Sequence, residues 1–109
     1  MKKVILALII VINLNAGWVS GNTLVEWNIE YKKDKNQNPY GVGAYQYYIL
    51  GILDSIDGIL ICTPNNVNGR QIFAIVGKYI NNHPEEWNGS AFNLVYRPLS
   101  KAFPCKKKK

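Results

Sequence analysis

The sequence is poor in the residue types that carry chemistry. It has two cysteines, one histidine and one methionine in 109 residues. A lone His83 beside two distant cysteines does not assemble a zinc site, and without a Cys-x-x-Cys spacing the two thiols do not suggest a redox centre. No phosphate-binding loop, metal-ligand cluster or Ser-His-Asp set can be found, and a bridged cysteine cannot serve a Cys-His pair. Long apolar runs are also missing. The longest, residues 4–12, would rise only about 14 Å as a helix against a hydrocarbon core of roughly 30 Å, so a stable membrane span is the poorer reading.

Charge of one sign is lacking as well, once its placement is considered. The chain carries thirteen basic and seven acidic residues, but Lys2, Lys3 and the four lysines at 106–109 sit at its ends. The seven basic residues between them match the seven acidic ones, so residues 22–105 are neutral overall. A nucleic-acid partner needs a basic face for its phosphates, and none is visible. The tetralysine end reads as a disordered basic tail, 106–109.

What is present begins with a leader. Two lysines, an apolar run and small residues at Gly17, Ser20 and Gly21 form the pattern of a secretory signal peptide. A cut after Ser20 or Gly21 puts a small residue at the scissile position, whereas a cut after Ala16 leaves Leu14 two places further upstream. The expected organisation is therefore a signal peptide, 1–21, a folded domain, 22–105, and the basic tail. Export permits disulfides. With only two cysteines the single pairing is Cys62 to Cys105, for which loop-entropy arithmetic gives roughly 4 kcal/mol at the upper end. A domain of this size has net stability on the order of 5 kcal/mol, so such a staple could decide whether it folds.

Apolar residues recur at three- and four-residue steps. Tyr45, Ile49, Ile52, Leu53 and Ile56 predict a helix within residues 40–58. Ile72, Ile75, Val76, Tyr79 and Ile80 predict another after Asn68, whose spacing to Gln71 fits a capping box. A third covers 84–103, with His83 as N-cap and Pro84 in the first turn. Pro98 inside it should break or kink the helix near Tyr96-Arg97, leaving 99–103 as a separate turn. A shorter helix is expected at 24–33 and a polar loop at 34–39. The predicted fold is an all-α, four-helix domain stapled by one disulfide.

Chemical roles for individual residues give way to simpler ones. His83 is better explained as a helix cap than as a base, and Asp54 with Asp57 as solvated acids than as a hydrolase pair. Gly41 to Gly43 is a flexible helix start. Asn88-Gly89-Ser90 matches a glycosylation acceptor but falls inside a predicted helix. The expectation is a protein that is not an enzyme and uses no cofactor.

Several spaced elements then coincide. Tyr48, Ile49, Gly51 and Asp54 precede Cys62 and Pro64, and Gln71, Ile75, Val76 and Tyr79 follow. His83-Pro84-Glu85, Ala91 and Phe103-Pro104-Cys105 complete the set. Jointly, over residues 45–105, these resemble the Rap/Tai-type immunity proteins associated with type VI secretion. Pro98 departs from that pattern, as does the absence of a cysteine near Gln46 and Tyr47. The resemblance implies a small periplasmic helical protein that binds and occludes a toxic effector, a peptidoglycan amidase in the best-understood members, and that forms homodimers in part of the family. The residues of the pattern look like scaffold. The effector-binding surface is therefore expected on the polar connection bearing Asn81, Asn82, Glu85, Glu86 and Asn88. The alternative is a periplasmic, chaperone-like helical protein without a cognate toxin.

Overall fold

The computed structural model describes residues 18–33 and 39–106. The leader pattern, most of the polar loop and the last three lysines lie outside the described residues. Four helices run in order: α1, Gly21–Lys32; α2, Pro39–Ile56; α3, Gly69–Asn82; and α4, Ala91–Ala102. A 3-10 turn, Pro84–Glu86, stands between α3 and α4. The fold is all-α, as its periodicity implied, and the described residues contain no strand beyond two isolated backbone bridges. No described helix is long and apolar enough to cross a membrane.

The apolar stripes close on one core. Leu24 of α1, Tyr45 and Ile49 of α2, Ile72, Val76 and Ile80 of α3, and Leu94, Val95 and Leu99 of α4 are buried together. At roughly 1.5 to 3 kcal/mol for each large aliphatic removed from water, this cluster is the main driving force of the fold. A polar group within it is satisfied: the hydroxyl of fully buried Tyr45 donates to the Phe73 carbonyl at 2.8 Å. Gly77 makes room for that bond. A Cβ at position 77 would lie 3.2 Å from the Tyr45 hydroxyl and 3.1 Å from Asn28 Oδ1.

Local signals fix three of the helix starts. Asn68 and Gln71 form the reciprocal capping box, each side chain bonding the other's backbone N–H at 3.0 Å. Ser20 caps α1 and Ser90 caps α4 through their hydroxyls. The disulfide joins Cys62 to Cys105 across 43 residues of sequence, and the Cys62 N–H donates to Phe103 at 2.9 Å beside it.

Two expectations about the last segment require correction. Its helix begins at Ala91 and not at Pro84, because Ser90 supplies the cap while 84–86 winds into a tighter 3-10 turn. His83 is thus the C-cap of α3, and its side chain makes no N-cap bond. The helix also continues through Pro98 to Ala102. A proline's fixed φ is compatible with helix, and its cost is one lost donor and crowding of the preceding turn. Burial of Pro98, Leu99 and Val95 against the core offsets that cost.

Candidate functional site

The polar connection between α3 and α4 is built outward from the last turns of α3. Tyr79 and His83 lie four residues apart, and their rings stack with centroids 3.9 Å apart. His83 Nδ1 lies 2.9 Å from the Tyr79 carbonyl. A carbonyl can only accept, so Nδ1 carries the proton in this bond. The Tyr79 hydroxyl donates to Glu86 Oε2 and Arg97 Nη1 to Glu86 Oε1, both at 2.7 Å. Trp87 Nε1 donates to the Ile80 carbonyl at 2.8 Å, which also accepts the His83 N–H at 3.3 Å. The 3-10 turn is therefore tied to α3 at two points and to α4 at a third.

These contacts set the electrostatics. The Tyr79 hydrogen bond, then Arg97, hold the Glu86 carboxyl below the usual carboxylate range against partial desolvation. Desolvation, reinforced by Glu86, pushes the Tyr79 hydroxyl upward. Within the core, burial raises Tyr45 further still. His83, Glu85 and Glu86 bring ligand-type atoms within 4.8 Å of one another. Both Glu86 oxygens and His83 Nδ1 already bond protein partners, so these two side chains brace the connection.

The expected binding residues fall into two groups. Asn81, Asn82, Glu85 and Asn88 are exposed, whereas Glu86 is half-buried and engaged in the network. Asn81 and Asn82 line a groove between α1 and α3 with Asn28, Tyr31 and Lys78. Asn82 also lines a second groove, between α3 and α4, with Ile75, Tyr79, His83 and Lys101. The end of α3 is thus a polar ridge flanked by two concave surfaces. Asn88 lines neither of these grooves and sits on the turn beyond. Cys62 and Cys105 lie elsewhere, as the staple already described.

Sequence reasoning missed Lys78, Lys101 and Arg97 as parts of this region. Only the spacing of Tyr79, His83 and Glu86 hinted at it, since four- and seven-residue steps continue one helix face past the helix end.

Asp54 and Asp57 do not pair. Asp54 is exposed, and Asp57 Oδ1 accepts the Thr63 N–H at 2.9 Å, closing the turn before the disulfide.

No curated protein matches the chain at a significant level. The family described as Rap1a immunity proteins matches residues 20–105, which covers all four helices and both cysteines. The chain is a member of the Rap1a immunity protein family.

Proposed function

We propose that this protein is an exported immunity protein that binds a type VI secretion effector in the periplasm and occludes it. The effector is a peptidoglycan amidase, and the complex forms without chemistry on the immunity protein's side. The observation that carries this reading is the ridge at the end of α3: exposed amides and a carboxylate on a connection held by Tyr79, Glu86, Trp87 and Arg97. A surface that is polar and already ordered loses little side-chain and loop entropy on binding, which favours docking into an enzyme cleft. Asn81, Asn82, Glu85 and Asn88 make the contacts, and Glu86 holds them in place. Mature protein acts after export and with its disulfide formed.

Immobilised, oxidised protein is exposed to the secreted proteins of the producing cells, with Cys62→Ser as the control. Capture of a cell-wall amidase whose activity falls on binding is the expected result. Exposed apolar side chains, notably Tyr47 at 76% and Ile59 at 73%, favour a second, chaperone-like reading. Retention of many unfolded clients, with no folded partner, would replace the first reading by the second.

A further inference from the structure

The start of the described chain is built into the same connection. The Val19 carbonyl accepts the Ala91 N–H at 3.0 Å, and the Gly21 N–H donates to the Gly89 carbonyl at 2.7 Å. Between these bonds Ser20 pairs with Ser90 as an antiparallel bridge. Ser20 Oγ also accepts the Thr23 N–H at 3.2 Å, and its carbonyl accepts Leu24 N–H at 3.2 Å. The starts of α1 and α4 are therefore pinned back to back through the two serines that cap them. Packing there is close: a Cβ on Gly21 would fall 2.4 Å from the Trp87 carbonyl oxygen.

We infer that the folded chain keeps Val19 and Ser20, so that its leader is cut at or before Trp18. This rests on reading the N-terminal segment as a leader. It displaces the cut that the small residues Ser20 and Gly21 suggest by sequence alone. Cleavage after Ser20 would remove the α1 cap and the acceptor for Ala91. It would also set a new ammonium at the positive end of the α1 dipole, where cations are disfavoured. Cleavage after Gly21 would remove the Gly89 bond as well. Signal peptidases require a small residue before the scissile bond, and upstream of Val19 that leaves Ala16 and Gly17. The retained residues brace the turn 87–89, so processing upstream also preserves the connection that carries the proposed binding face.

The full chain is expressed with its own leader, and the exported product is sequenced from its N-terminus and weighed intact. A first residue of Gly17 or Trp18 is expected. Gly21 or Asn22 as the first residue of folded, disulfide-bonded protein would overturn the inference. An uncut chain would overturn the leader reading and the inference with it, and a second comparison tests the structural premise on its own. Exported chains beginning at Gly17 and at Asn22 are melted in parallel, and the shorter is expected to unfold about 5–10 °C lower. Equal midpoints would show that Val19 and Ser20 are dispensable and would sink the inference.

Discussion

The two connections that flank α3 are held by different means. The one before it, residues 57–68, is fixed by main-chain bonds, a covalent bond and the Asp57 side chain, which accepts the Thr63 N–H. Gly58 takes the left-handed conformation at φ 83°, its N–H donates to Ile61 at 2.6 Å, and Cys62 is bridged to Cys105. The one after it, residues 83–90, is held by side-chain hydrogen bonds from Tyr79, Trp87 and Arg97, and by the strap at Val19 to Gly21. The first presents aliphatic Ile59 and Leu60 beside Asn65 and Asn66, and the second, together with the end of α3, presents Asn81, Asn82, Glu85 and Asn88. The first carries the covalent tie, while the proposed function assigns recognition to the second.

Removing the covalent tie should have the largest effect. Reduction or Cys62→Ser should cost about 2–4 kcal/mol, read as a much lower thermal midpoint. A midpoint unchanged within error would show that the backbone turn alone suffices there. Next in size is Gly21→Ala, which drives a Cβ into the Trp87 carbonyl. Overpacking of this kind costs about 1–3 kcal/mol, and amide exchange should quicken at 87–91 but not at 57–62. Uniform quickening would mean that the two connections are not independent.

Trp87→Phe keeps an aromatic side chain, smaller than the indole, and deletes the bond to Ile80, a loss of at least about 1 kcal/mol by calorimetric or chemical unfolding. The smallest effect belongs to the Glu86 network and is a matter of pH. A carboxyl held below its usual range stabilises the fold above the unfolded-chain pKa, about 4.3, and loses that contribution as pH falls through the lower folded value. The midpoint difference between the parent and Glu86→Gln should therefore be present at pH 7 and shrink as the pH is lowered below about 4.3. A difference that persists in acid would assign it to packing.

Much of the first connection was legible in the sequence, and little of the second. Asn68 and Gln71 announce a helix start because both partners lie within one turn. The disulfide followed from there being two cysteines and an export pattern. The partners of His83 were hidden because a ring that stacks on Tyr79 leaves no cap at the next helix, and sequence spacing does not say which side it turns to. Pro98 misled for a related reason. Its local penalty can be read from one residue, but the burial that offsets it depends on α3 and the core. The pairing of Ser20 with Ser90 spans most of the chain and left no local trace.

One inhibition assay tests the division of labour most directly. A secreted peptidoglycan amidase of the producing cells is titrated with oxidised parent protein and with Asn82→Arg/Glu85→Arg, after both are shown to melt at the same temperature. The parent should inhibit the amidase, and the double variant should need at least about tenfold more protein for the same inhibition, a loss of about 1.4 kcal/mol in binding. Equal inhibition by the two proteins would contradict the placement of recognition on the end of α3 and the connection after it, and no inhibition by either would contradict occlusion of an amidase.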